Sequence, residues 1–186
     1  MLKLILSQAT VPLIIIATIM QFISLTESKI LEKYNNKISK IESIDKLSND
    51  TNMQYETKKS FENIFINSGN TNKDASEAFI ISKSESIARM KYLNYIIETE
   101  LGKNPNKDDY TKVINDLKSL DPESFINTSQ SIFLLLKKNH NELIAKKEKL
   151  SEKSRTLDLD IYKLNTYSLL ISLLSAICAG IPKKNT

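Results

Sequence analysis

The sequence predicts an all-α protein: an elongated antiparallel helical bundle with a coiled-coil stalk, flanked by transmembrane helices near its N- and C-terminal ends. Three Gly and four Pro among 186 residues are too few to form the many tight turns of a β-sandwich or barrel. Two uncharged apolar runs lie near the two ends of the chain, and between them apolar residues recur at helical spacing. Together these observations favour two helices that lie in lipid near the ends of the chain and helices in water between them.

Two uncharged runs are long enough to cross a membrane as helices. Residues 4–26 form a run of 23 and residues 164–182 a run of 19. As helices they would measure about 34 and 28 Å, close to the roughly 30 Å hydrocarbon core of a bilayer. The alternatives are a cleaved signal peptide and a buried core helix. The first run is longer than a signal peptide's apolar region and lacks a small-residue cleavage site before Glu27, and lysines flank the second run, so two uncleaved spans are favoured.

The spans divide the chain into five predicted segments. Both tails carry Lys and no acidic residue, which favours cytoplasmic ends and an extracytoplasmic bundle in a two-span protein of the cell membrane. Four lysines that follow the first run favour the opposite orientation: Lys29, Lys33, Lys37 and Lys40. The predicted segments are a tail at 1–3, a transmembrane helix at 4–26, an α-helical bundle domain at 27–163, a second transmembrane helix at 164–182 and a basic tail at 183–186.

Charge is distributed unevenly along the chain. All 22 acidic residues and 23 of the 26 basic residues lie within residues 26–166. The three remaining positive charges are Lys3, Lys183 and Lys184, so the pI of about 9.0 reflects two short basic tails. An extended basic face for binding phosphates is not expected, and neither is a nucleic-acid partner.

Small and amide side chains predict how the spans pack. Small residues recur every four positions along one face of the second span, which lets two helix backbones approach closely in lipid. Two glutamines of the first span can form hydrogen bonds to another helix. Pairing is expected within one chain or between two chains. The predicted packing residues are Ser168, Ser172, Ala176, Gly180, Gln8 and Gln21.

Four helices are predicted between the spans. The first continues out of the first span and can be interrupted by the polar cluster at residues 48–52. The second starts at Asp74, in a capping-box spacing, and ends at Gly102, where a left-handed residue is expected. The third covers residues 107–120. The fourth starts at Pro122, because Pro is tolerated at the first position of a helix.

A leucine repeat predicts a coiled-coil seam on the fourth helix, with a left-handed supercoil. The complementary row, from Phe133 to Ser168, is mostly polar, so we expect the leucines to pack into a groove of the bundle. The unbroken repeat favours one continuous helix from Pro122, whereas the helix lengths balance better if the chain turns at residues 137–141. The seam consists of Leu136, Leu143, Leu150, Leu157 and Leu164.

The sequence contains no recognisable catalytic or metal-binding constellation. It has one Cys and one His, and no glycine-rich phosphate loop, paired-Cys motif or nucleophile elbow. We therefore expect neither enzymatic activity nor a cofactor or metal. His140 is expected to be solvated or to cap a helix, and Cys178 to be a buried thiol.

The favoured function is that of a non-enzymatic two-span membrane protein that presents a helical bundle for protein–protein interaction, as a scaffold or an accessory subunit. Its expected partners are membrane lipid and either a second copy of the chain or another membrane protein. The layout resembles that of bacterial four-helix-bundle sensory ectodomains, which implies small-ligand or stress sensing as the alternative. No residue motif carries that resemblance, and the five residues after Ile181 leave no room for an output module. A holin-like, membrane-permeabilising role is disfavoured by the long polar middle of the chain.

Overall fold

Three helices make up most of the part of the chain that the structure, a computed structural model, describes. They are α1 (Leu2–Asn67), α2 (Lys73–Leu101) and α3 (Pro122–Gly180). No strand occurs in the described part, which confirms the all-α class. The backbone is described for residues 2–67, 73–105 and 122–180, and side chains for residues 9–60, 85–105 and 127–180. The predicted helix at 107–120, Asp74 and both tails lie outside the residues with described side chains.

The chain divides into two compact units. The terminal unit combines residues 1–37 with residues 149–186, and the central unit consists of residues 38–148. The helices α1 and α3 therefore each contribute to both units, whereas α2 belongs to the central unit alone.

Helix α1 runs without interruption through the polar cluster at residues 48–52. Ser48 and Thr51 are buried there, and the Thr51 hydroxyl donates a hydrogen bond to the carbonyl oxygen of Leu47 at 2.8 Å. A Ser or Thr hydroxyl that bonds to a carbonyl of the preceding turn satisfies itself without breaking the helix. The cluster is thus part of the helix interior, not a boundary.

The end of α2 is set by Gly102, as the sequence predicts. Gly102 has a φ of +78°, its N–H bonds to the carbonyl of Thr99 at 3.0 Å, and the N–H of Lys103 bonds to the carbonyl of Glu98 at 2.9 Å. These two bonds form a Schellman motif, which requires a left-handed residue that Gly adopts without a steric penalty.

Helix α3 is continuous from Pro122 to Gly180. The alternative of a turn at residues 137–141 is wrong. This stretch contains neither Gly nor Pro, and Asn139, inside it, is buried against α2 with its side chain fully hydrogen-bonded. Residues 137–141 therefore lack the Gly or Pro that would end a helix, although the comparison of helix lengths favoured a turn there.

The central unit has an apolar core to which all three helices contribute. Pairs such as Gln54–Arg89 and Lys58–Ser86 show that α1 runs antiparallel to α2. Helix α2 supplies four of the buried apolar residues, whereas Leu101, in its last turn, is half-buried. The buried apolar residues are Ile41, Ile44, Tyr55, Ile87, Met90, Leu93, Ile97, Leu136 and Leu143.

Candidate membrane-spanning helix pair

Helices α1 and α3 pair in antiparallel fashion within the terminal unit through small and polar side chains. Buried positions recur every seven residues on α3, at Ile161, Ser168 and Ser175, and on α1 at Ala17 and Ser24. A seven-residue spacing keeps these positions on one face when two helices wrap around each other with a left-handed twist. Small side chains at this contact let the backbones approach closely.

Serine hydroxyls form hydrogen bonds between the two helices along this face. The Ser168 hydroxyl donates to the carbonyl oxygen of Ala17 at 3.1 Å, and the Ser175 hydroxyl donates to that of Thr10 at 3.4 Å. Nearer the charged part of the chain, the Ser24 hydroxyl donates to Oδ1 of Asn165 at 2.8 Å. Each bond gives a buried serine hydroxyl an acceptor on the other helix.

The opposite faces of the same helices carry large apolar side chains that are exposed. Phe22 is 71% exposed and Ile177 is 65% exposed. In the most apolar 18-residue window of each helix, only 11% of the residues of α1 and 17% of those of α3 are buried in the chain. Within the two apolar runs, the exposed large apolar residues are Val11, Ile14, Ile15, Ile16, Ile19, Phe22, Ile23 and Leu25 on α1, and Tyr167, Leu169, Leu170, Leu173, Leu174 and Ile177 on α3.

The terminal unit thus has an inverted polarity in this segment, with Ser and Ala inside and Ile, Leu and Phe outside. The core helix of a water-soluble protein would bury most of such an apolar window. Both helices are long and apolar enough to cross a membrane. Their outer surface is chemically matched to hydrocarbon rather than to water.

The predicted membrane-packing residues differ in how deeply they are buried. Ser168 is buried against α1, whereas Ser172, Ala176 and Gly180 are exposed within the part of the chain that the structure describes. Gln21 is exposed as well, and the side chain of Gln8 lies outside the described residues. The four-residue stripe remains a prediction for contacts beyond this chain. Ser175 and Asn165 are contact residues that the sequence reasoning missed; the signal for Ser175 is its seven-residue spacing from Ser168.

The leucine row of α3 varies in burial along the helix. Leu136 and Leu143 are fully buried in the central unit. Leu150, Leu157 and Leu164 are half-buried in the terminal unit. The same face of α3 therefore carries the leucines in both units, and their role as a coiled-coil seam stays a prediction.

Residues of the mostly polar row beside the leucines each contact a residue of α1. In the central unit, Phe133 stacks on Tyr55 with ring centroids 4.9 Å apart, and Nε2 of His140 lies 2.7 Å from Oδ1 of Asp45. Nζ of Lys147 lies 3.5 Å from Oε1 of Glu42. In the terminal unit, the Ser154 hydroxyl donates to Oδ1 of Asn35 at 2.7 Å. His140 is therefore paired with an acid and half-buried, not simply solvated.

A buried amide cluster joins α2 to α3 in the central unit. Nδ2 of Asn139 donates to Oδ1 of Asn94 at 2.7 Å and to Oε1 of Glu98 at 3.0 Å, and Oδ1 of Asn139 accepts from Nζ of Lys103 at 2.7 Å. Lys103 also forms an ion pair with Glu142 at 2.8 Å. The hydrogen bond from Lys103 lowers the pKa of Glu142 below its ordinary value, because it stabilises the ionised carboxylate.

Within the described residues, no group of three or more His, Cys, Asp or Glu side chains is arranged to hold a metal ion. Cys178 is half-buried and is a free thiol. No protein-family model, curated protein or solved structure matches the chain.

Proposed function

We propose that this protein is a non-enzymatic two-span membrane protein that presents its central unit, residues 38–148, for contact with other proteins, as a scaffold or an accessory subunit. The inverted polarity of the terminal unit carries the proposal: large apolar side chains cover the outside of α1 and α3, while Ser and Ala lie between them. In lipid, exposing the apolar outer surface has no free-energy penalty, and the polar groups between the helices are paired by hydrogen bonds.

Two crossings in one chain place the segment between them on one side of the membrane and both ends on the other. The Lys-containing tails favour the cytoplasmic side, so the central unit is assigned to the extracytoplasmic side.

The surface of the central unit supports a role in protein contact. Large apolar side chains are exposed on this unit: Met53 by 67%, Tyr92 by 60% and Leu134 by 57%. Met and aromatic residues are enriched at protein interfaces relative to the rest of a protein surface. A second copy of the chain or another membrane protein is the partner class that this location allows.

Alkaline extraction of membranes that contain the full-length protein tests the anchoring. We expect the protein to remain in the pellet after a carbonate wash, and the double variant Ile15→Lys/Leu173→Lys to lose that retention. Each Lys would lie near the middle of a span, where it costs about 2.5 to 3.5 kcal/mol.

The matched control is Met53→Lys/Leu134→Lys, which adds the same charges to exposed apolar positions of the central unit. It is expected to stay in the pellet. Recovery of the unmodified protein in the supernatant without detergent would overturn the proposal.

A further inference from the structure

Two rows of residues are buried to different degrees in the two units. On α1, Ile41 and Ser48 of the central unit are fully buried, whereas Met20, Glu27 and Tyr34, which follow the same seven-residue spacing in the terminal unit, are half-buried. The leucine row of α3 changes in the same way. The central unit contains a third helix, α2, whereas the described part of the terminal unit consists of α1 and α3 alone. Two helices therefore leave one side of each row open in the terminal unit.

A groove lies on this open side, between α1 and α3. Its volume is about 500 Å³, and Ile30, Tyr34 and Leu157 supply its apolar surface. Tyr34 lies eight residues after the first uncharged run and Leu157 lies seven residues before the second. At about 1.5 Å per residue, these two side chains are roughly 10 to 12 Å outside the hydrocarbon, beyond a headgroup layer of about 5 to 7 Å. Lipid does not cover the groove at this distance, so it either faces water or is covered by protein.

The contact between α1 and α3 within one chain indicates which protein surface fits the groove. The two helices pack antiparallel, with Asn35 opposite Ser154. Two copies with the same orientation in one membrane are related by a twofold axis along the membrane normal, so α1 of one copy lies beside α3 of the other, again antiparallel and at the same distance from the membrane. Each pair of neighbouring helices is then an α1–α3 pair, as in an antiparallel four-helix bundle. This step rests on the proposed function, which places both copies in one membrane.

The open side is also large enough for a stable dimer. Residues 9–37 of α1 extend for about 43 Å, and two helices side by side are roughly 20 Å wide. Such a face measures on the order of 800 Å², which is about the area that each partner contributes to a specific protein interface.

From this we infer that the groove is the contact surface for a second copy of the chain, and that two copies form a four-helix stalk in which α1 of each copy packs beside α3 of the other. The second copy supplies to the rows of the terminal unit the helix surface that α2 supplies in the central unit.

Self-association of the full-length protein in mild detergent, measured by sedimentation velocity over a range of concentrations, tests this contact. We expect a dimer. The variant Ile30→Lys/Thr156→Lys should raise its dissociation constant by at least about tenfold, because each Lys would be buried at the contact without a partner. Both positions line the groove but are exposed in the single chain, so the pairing of α1 with α3 within each copy is retained.

The matched control is Asn36→Lys/Leu159→Lys, which adds the same two charges to exposed positions of the same helices outside the groove. Its dissociation constant should stay within about twofold of that of the unmodified protein. A monomer at all concentrations, or an equal weakening in the control, would overturn the groove contact.

Disulfide formation between two differently tagged copies locates the contact in membranes. Each copy carries one Cys in a Cys178→Ser background. Ile30→Cys in one copy should form a disulfide with Asp160→Cys in the other on mild oxidation, because both positions line the groove at nearly the same level of the helices. Lys29→Cys and Leu159→Cys, which are exposed outside the groove at that level, should not. Equal disulfide formation by the two pairs would contradict the inference.

Two further outcomes separate this inference from the proposed function. Disulfide formation through Ser172→Cys in place of the groove pair would assign the contact to the small-residue stripe and overturn the groove contact. Protein that stays in the pellet after a carbonate wash but forms no groove disulfide overturns the groove contact alone. Protein that appears in the supernatant overturns the proposed function as well.

Discussion

Asn139 illustrates how one polar side chain in the central unit depends on its neighbours. Its amide bonds at once to Asn94, Glu98 and Lys103, and it is 1% exposed. We expect Asn139→Ala to lower the free energy of unfolding by about 1 to 3 kcal/mol, because buried donors and acceptors on α2 lose their partner. Chemical denaturation of the full-length protein in detergent, followed by circular dichroism, measures this.

Asn141→Ala provides the matched control, since Asn141 lies two residues further along α3 and is exposed. Its effect should stay within about 0.5 kcal/mol. An equal loss in the two variants would mean that the amide cluster does not stabilise the central unit.

The Lys103–Glu142 pair predicts a dependence of the stability of the central unit on acidic pH. The pKa of Glu142 in the folded protein is below its ordinary value of 4.5, so the carboxylate contributes stability that is fully present above that value and is lost as the pH falls through the folded pKa. When the pH falls from about 6 to about 3, the Glu142→Gln variant should therefore lose less stability than the unmodified protein loses. Melting temperatures at the two pH values test this.

Glu148→Gln is the comparison for the acid effect, because Glu148 is exposed on the same helix and no ion pair to it is found in the described part of the chain. This variant should keep the acid dependence of the unmodified protein. The same reduction in Glu148→Gln would assign the acid effect to overall charge.

At the scale of helices, the contact between α1 and α3 in the terminal unit follows a seven-residue period. Ser168→Leu places a large side chain at a position that is 1% exposed, and we expect it to cost about 1 to 3 kcal/mol of stability by overpacking. Ser172→Leu adds the same side chain to an exposed position and should change stability by less than about 0.5 kcal/mol. Thermal unfolding in detergent compares the two variants.

The oligomeric state of the Ser172→Leu variant tests whether the small-residue stripe packs between copies of the chain. If the stripe of Ser172, Ala176 and Gly180 packs between copies of the chain, this variant dissociates an oligomer, as measured by sedimentation, without changing the melting of the helix pair. Greater destabilisation by Ser172→Leu than by Ser168→Leu would contradict the contact that the structure shows.

Local signals in the sequence were sufficient for the helix ends and insufficient for the contacts between helices. Gly102 and Pro122 mark their helix ends through backbone chemistry that acts within a few residues. The choice between the four-residue stripe and the seven-residue set at Ser168 and Ser175 depends on the angle at which α1 crosses α3, and that angle is set by a partner more than 140 residues away in the chain.

The polar row of α3 shows the same dependence. The sequence alone disfavours this row as a helix contact, because most of its residues are polar where a zipper has apolar ones. Asp45, Glu42 and Asn35 on α1 match it individually. Which residues of α1 lie opposite follows only from the register of two helices that are distant in sequence.

At the scale of the whole molecule, one chain follows two solvent rules. The largest buried side chains of the central unit include Ile, Leu and Met, whereas in the two apolar runs of the terminal unit the buried residues are Ser and Ala and the large Ile, Leu and Phe side chains are mostly exposed. The change occurs along α1 and α3, which are continuous. In the proposed function, the same two helices meet hydrocarbon along their apolar runs and water along their charged parts.

This distribution predicts a definite membrane topology, which single cysteines in a Cys178→Ser background can map. Lys59→Cys lies in the central unit and Thr186→Cys at the end of the chain, so a membrane-impermeant maleimide should reach them from opposite sides. Because both tails carry Lys and no acid, position 59 should be labelled in intact cells and position 186 only after lysis. Ile15→Cys, in the first apolar run, should stay unlabelled until detergent is added. Labelling of positions 59 and 186 from the same side would contradict the two crossings, whereas the reverse pattern would keep the crossings and invert the orientation.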